Sequence, residues 1–277
     1  MRILCFVAAL SGLFVVACGS ADSGSSAEED ETLGKSHAAT VRACDKTWNA
    51  ALDAAQNNAE IRQSTATYTG CVKAANDAAL PQIRKGLPGG LRDLAEPATA
   101  RYRAVNNAVC STLGDASASF GATMATIALT ACGAETEMDL ASLIDAYVKL
   151  GVKATPANVG AEERKACYEV FETQTKTLTS DIAYVGAQIR LLACLEEGIT
   201  SIEPSLTSAI VHNNARPGSS SSQIGPDLHA QMNEHWHAAD VLCSALTGSV
   251  TTPTREMYAC EADARALLSK LVRQGVR

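Results

Sequence analysis

The densest run of side chains able to do chemistry is "DLHAQMNEHWHAAD", which places His229, Asn233 and His237 at i, i+4 and i+8 on one helix face, with Glu234 and His235 beside them. Two imidazoles one turn apart are how a single helix grips zinc. Asn233 holds the middle position here, so His229 and His237 form a metal candidate that lacks its i+4 partner. The expected reading is a polar, solvated helix face opposite the stripe Leu228, Met232, Trp236 and Ala239. Glu135, Glu137 and Asp139 follow Cys132 and supply a second group. Paired carboxylates are the equipment of glycoside hydrolysis, but these are expected on a helix surface or in an acidic contact patch. The chain holds no G-x-S-x-G, phosphate-binding loop, dinucleotide fingerprint or H-E-x-x-H. The expectation is a protein with no catalytic residue, no cofactor and no bound metal.

Cysteine is the more informative residue. Of the ten, Cys5 and Cys18 lie in the N-terminal segment and eight follow: Cys44, Cys71, Cys110, Cys132, Cys167, Cys194, Cys243 and Cys260. Arg2 precedes the apolar stretch "ILCFVAALSGLFVV", which has the length of a signal peptide rather than of a membrane span. The stretch ends in Val15-Val16-Ala17-Cys18-Gly19, which resembles the lipobox of bacterial lipoproteins. Residues 1–17 are therefore expected to be a lipoprotein signal peptide, and Cys18 the lipid-modified first residue. The following "GSADSGSSAEEDETLGKS" is rich in Ser, Gly and acids, so residues 18–35 are expected to form a disordered tether. An acyl anchor on a loose stem places a body at a membrane without embedding it. Gly19 after the cysteine favours, by analogy with sorting in Gram-negative bacteria, the outer membrane, with the body periplasmic or surface-exposed.

An even number of cysteines in an exported chain reads as a disulfide framework. No C-x-x-C occurs, which removes zinc-ribbon, redox-motif and haem readings. The spacings are 27, 39 and 22 in the first set of four and 27, 49 and 17 in the second. The longer middle gap coincides with the loop-like "NNARPGSSSSQIGPD". "RYRAVNNAVCSTL" is echoed by "HWHAADVLCSAL", each with an aromatic about two turns before the cysteine. These features describe an internal duplication over 36–152 and 160–277, joined around "GVKATPANVGAEE".

The elements that must position these cysteines are helices. Apolar residues recur with helical period, as in Val41, Cys44, Trp48 and Leu52, or Leu91, Leu94, Ala98, Tyr102, Val105 and Val109. Abundant Ala and few aromatics suit close-packed helices. One unbroken helix from Cys44 to Cys71 would hold the pair about 40 Å apart. The midpoints between successive cysteines fall on turn or cap residues: Asn57-Asn58, Gly121, Ser180-Asp181 and Thr251-Thr252. Thr252 followed by Pro253 is expected to cap the last helix. Helical hairpins then allow sequential bridges, Cys44–Cys71, Cys110–Cys132, Cys167–Cys194 and Cys243–Cys260. A nested scheme, Cys71–Cys110 with Cys44–Cys132 and its counterpart, stays open because Cys71 and Cys110 are nearly symmetric about Gly90. In either case the fold class is all-α, two tandem four-helix up-and-down bundles.

Without residues 1–17 the formal charge is −8, from 22 basic and 30 acidic residues. That balance argues against nucleic acid and against anionic lipid as partners, and is compatible with a basic protein.

Cys71, Asp77-Ala78-Ala79-Leu80, Tyr102, Cys110, Gly121 and Cys132 together resemble the lysozyme-inhibitor LprI-like domain, a small, exported, cysteine-bearing helical unit. Cys194, Trp236, Cys243 and Cys260 resemble it in the second half, with Trp236 one residue out of phase. The chain departs from the family pattern at Pro81, Tyr102 and Asn106, where the family favours Asn, Trp and Arg. The resemblance implies a non-enzymatic binding module whose partner is a basic lysozyme. A structural or envelope-assembly lipoprotein is the alternative.

Overall fold

The computed structural model describes residues 26–86, 93–117, 122–147, 165–200, 228–248 and 254–276. The expected signal peptide, Cys18 and the inter-repeat join lie outside them. The described residues form eight helices and no strand: α1 (Ser26–Ala54), α2 (Asn58–Gly86), α3 (Ala95–Ser117), α4 (Ala122–Tyr147), α5 (Lys165–Thr175), α6 (Asp181–Thr200), α7 (Leu228–Thr247) and α8 (Arg255–Val276).

Helices α1–α2, α3–α4, α5–α6 and α7–α8 are each joined by one disulfide. The bridges are the sequential set, Cys44–Cys71, Cys110–Cys132, Cys167–Cys194 and Cys243–Cys260, with Cα–Cα distances of 5.9, 5.5, 5.9 and 5.6 Å. The nested scheme is not the one formed. Asn57 Oδ1 accepts hydrogen bonds from the amides of Ala59 and Glu60 at the start of α2, and Ser180 Oγ accepts from Ala183 at the start of α6. Each cap lies 13 residues after its hairpin's first cysteine, so the turn and the two stapled positions are set together. An Asn or Ser cap satisfies amides that the helix itself leaves unpaired, typically worth about 1 kcal/mol.

Two expected boundaries differ. Helix α1 begins at Ser26 and takes in residues expected in the tether. The cap of α8 is Thr254, whose Oγ accepts from the Met257 amide at 3.3 Å, rather than Thr252, which lies outside the described residues. Gly248, with φ of 72°, ends α7 in the left-handed conformation that glycine adopts without penalty.

The two halves share one packing order. In the first, α1 packs on α2, α2 on α4 and α4 on α3; in the second, α5 packs on α6, α6 on α8 and α8 on α7. Equivalent outer cores result. Val41, Cys44, Tyr68, Val72 and Ala134 fill one, and Cys167, Phe171, Leu191, Leu195 and Ala262 fill the other. Between them lies a third core drawn from both halves, including Tyr102, Leu140, Leu143, Leu242, Cys243, Cys260 and Leu267.

The contacts across this centre have the pattern of a two-fold axis. Helix α3 meets its counterpart α7, α4 meets its counterpart α8, and the cross-pairs α3–α8 and α4–α7 also touch. Arg101 and Glu234 bond at 2.9 Å and are 133 positions apart, the separation of Cys110 from Cys243. Tyr102 and His235 have the same separation, and their rings lie 5.2 Å apart. Residues facing their own equivalents are the mark of an isologous contact, here made within one chain.

Candidate functional site

Three constellations hold the chain's polar chemistry. The first spans all four helices of the first half. His37 is buried on α1, with Nδ1 2.6 Å from Asp145 Oδ1 and Nε2 3.0 Å from Asn76 Oδ1. Asn76 Nδ2 donates both to the Glu137 backbone carbonyl at 2.9 Å and to Glu137 Oε2 at 3.0 Å. Arg103 on α3 grips the Glu137 carboxylate through Nη2 at 2.9 Å and Nε at 2.8 Å, and reaches Asp77 through Nη1 at 2.7 Å. Lys73 closes the chain on Asp77 at 2.6 Å. Burial pulls the His37 pKa down, but the Asp145 carboxylate and the two hydrogen bonds outweigh it and hold the value above 6.5. Asp77 is held below its ordinary value, since Lys73 and Arg103 outweigh its desolvation.

The second constellation lies at the pseudo-two-fold axis. Tyr102 and His235 face each other there, and the Asn106 amide sits beside the Tyr102 hydroxyl. His235 is fully buried, and neither ring nitrogen has a hydrogen-bond partner among the described residues. Burial, reinforced by the Arg265 charge, lowers its pKa to about 3, so the ring is neutral. Close by, Asp139 and Glu135 of α4 share Lys270 of α8. Burial raises the Asp139 pKa to about 8, against the pull of Lys270 and with the push of Glu135.

The third is a single carboxylate. Asp263 is fully buried on α8 and accepts the hydroxyls of Tyr147 at 2.6 Å and Tyr168 at 2.8 Å, tying the end of α4 and the start of α5 to one point. Each phenol donates a charge-assisted hydrogen bond to this buried carboxylate. Nothing in these three groups sets a nucleophile against a base. Among the described residues no cluster of His, Cys, Asp and Glu could hold a metal ion.

The described residues singled out on α7 do not share one environment. His237 is exposed, Asn233 is half-buried, and the side chain of His229 is outside the described residues. The expectation for His235 is corrected, because it is interior rather than on a solvated face. Helix α7 is covered by α3 across the axis as well as by α8, so a second face is buried that a single apolar stripe does not reveal. The reading of Glu135, Glu137 and Asp139 as a surface group is also corrected. Glu137 and Asp139 are buried and Glu135 is partly so, since α4 contacts α1, α2, α3, α7 and α8. The basic residues that answer them, Arg103 and Lys270, lie far off in sequence and leave no local pattern.

The exposed large apolar residues are unevenly placed. Among the described residues they are Leu94, Leu129, Val170, Ile182 and Ile189, and the last three belong to the α5–α6 hairpin. Ile182 is 88% exposed and shares a helix face with Ile189 two turns on. The equivalent first-half positions hold Thr47, Ala59 and Ala66.

No family model matches the chain, no curated protein matches it, and no solved structure matches it. No described helix is long and apolar enough to cross a membrane.

Proposed function

We propose that the protein is an exported, lipid-anchored binding protein without catalytic activity, a lysozyme inhibitor-like module held to the cell envelope through Cys18. The observation that carries the binding role is the α5–α6 hairpin. It presents Val170, Ile182 and Ile189 to solvent, where the equivalent hairpin shows Thr and Ala. Exposed apolar side chains that the duplicated copy lacks are not required by the fold, and interface cores favour them. Five acids and three bases lie on the same hairpin, which suits a basic partner and would speed its encounter. The framework of four disulfides is appropriate to an oxidising compartment. The LprI-like resemblance of Cys71, Tyr102, Cys110 and Cys132 supplies the partner class, a muramidase.

The test is inhibition of a basic lysozyme by the protein at micromolar concentration. Dose-dependent loss of lysis is expected, weakened at least tenfold in Ile182→Glu/Ile189→Glu. Unchanged lysis at a hundredfold molar excess removes the lysozyme reading and leaves the envelope-assembly lipoprotein as the reading to pursue.

A further inference from the structure

We infer that His37 is a proton-dependent latch that fastens the N-terminal part of α1 to the first bundle and releases it as the pH rises. The argument is one of donors and acceptors. The Asn76 amide has no freedom to turn over, because its Nδ2 faces two acceptors, the Glu137 carbonyl and the Glu137 carboxylate. Its Oδ1 therefore faces His37 Nε2, which must donate. On the other side Nδ1 faces the carboxylate of Asp145, which also only accepts. Both ring nitrogens must carry protons, so the closed geometry is that of the imidazolium. Neither neutral tautomer satisfies both contacts: one places a lone pair against Asn76 Oδ1, the other places one against Asp145.

The surrounding charges explain why the proton is held. From α4, Asp145 bonds the ring directly, while Glu137 stands behind Asn76 with its charge met by Arg103 of α3. From α2, Asn76 is neutral, and Asp77 is met by Arg103 and Lys73. Asp145 is thus the carboxylate left for the imidazolium. Because the folded pKa is raised above 6.5, the latch's contribution is complete below that value and disappears as the pH climbs through the folded pKa.

What is released is defined by the first disulfide. Cys44–Cys71 fixes α1 from Cys44 onward, and Val41 packs in the outer core one turn earlier. Among the described side chains of α1, His37 is a tie that precedes them. The latch itself does not depend on anchoring. On the anchored reading proposed above, release also lengthens the stem: residues 26–37 span about 18 Å as helix and up to about 40 Å extended.

Hydrogen exchange of the full chain between pH 5.5 and 9, corrected for intrinsic exchange, reads the latch directly. Peptides covering 26–40 are expected to lose at least tenfold in protection, with a midpoint above 6.5, while peptides of α7 stay protected. Asp145→Asn should move that midpoint down by about one pH unit. His37→Gln should give low protection in 26–40 at every pH, with α7 again intact. Constant protection of 26–40 to pH 9 overturns the latch. So does an Asp145→Asn midpoint equal to the wild type's, or loss of α7 protection at the same midpoint, which would be global unfolding. Membrane attachment enters none of these readouts, so a failed latch leaves the anchored binding role standing and a failed anchor leaves the latch standing.

Discussion

The first half lays a chain of hydrogen-bonded polar groups beside its axis helices, and at three equivalent positions the second half has two apolar side chains and one arginine. Counting from the cysteines, Asn76, Arg103 and Glu137 correspond to Ile199, Trp236 and Arg265. In place of a chain of hydrogen bonds running from Lys73 to Asp145, the second half sets the Arg265 guanidinium 5.7 Å over the Trp236 ring. Its nearest carboxylates, Glu196 and Asp240, stand off at 3.9 and 4.0 Å. Both halves nevertheless keep a capping residue at the same position of the first hairpin, two staples and one packing order. Staples, caps and apolar stripes are therefore sufficient for the topology, and the polar interior can be rewritten without changing it. The buried histidines of the two halves also respond oppositely to protons. His37 adds stability that alkali removes. His235 sits in a site that lowers its pKa from 6.5 to about 3, so its stability contribution is complete above 6.5 and is lost as the pH falls toward 3.

The comparison can be broken most forcefully at the staples. Replacing Cys243 and Cys260 by Ala should cost about 4–5 kcal/mol, and replacing Cys44 and Cys71 about 3 kcal/mol, in urea unfolding. Cys243 and Cys260 are fully buried in the shared core, whereas Cys71 is exposed; equal losses would mean that this burial adds nothing beyond loop closure. Next in size is the pair of arginines. Arg103→Met leaves Glu137 buried without its cation and should cost about 3–4 kcal/mol. Arg265→Met, whose ion pairs are long and whose partners are partly exposed, should cost about 1 kcal/mol.

A smaller effect of opposite sign is expected at the axis. His235→Phe removes two unpaired ring nitrogens from the interior and should stabilise the protein by about 1 kcal/mol at pH 7. It should also flatten the acid limb of the stability profile between pH 6.5 and 3, which thermal melts across that range would register. A destabilised variant with an unchanged acid limb would show that the ring nitrogens are satisfied. The smallest effect belongs to Arg101 and Glu234. Both are about half exposed, so a double-mutant cycle should give a coupling below about 1 kcal/mol that fades in high salt.

The hairpins were legible in the sequence because their constraints are local. Cys44 and Cys71 are equidistant from a turn, and the residue at the turn, Asn57, is a cap by chemistry as well as by position. The association of the halves was not legible, because much of it is made by alanine. Ala238 and Ala245 are buried in the shared core although they lie off the apolar stripe of α7, and their type does not distinguish them from the exposed Ala100 and Ala104. His235 escaped for a different reason. The aromatic echo draws the eye to Trp236, whereas counting back eight residues from each cysteine pairs Tyr102 with His235. The exposed Ile182 and Ile189 were readable as residues but not as surface, since only the packed structure shows which face of α6 is left uncovered.

The pairing of Arg101 with Glu234 bears on how the molecule treats copies of itself. Across a true two-fold axis between identical chains, a residue beside the axis meets itself: arginine would confront arginine. A chain carrying both copies escapes that rule and can write opposite charges on the two sides. The pair therefore adds a small bias toward the contact between the two halves over a contact between two copies of either one. Within one chain, the two faces of a pseudo-two-fold contact need not be the same.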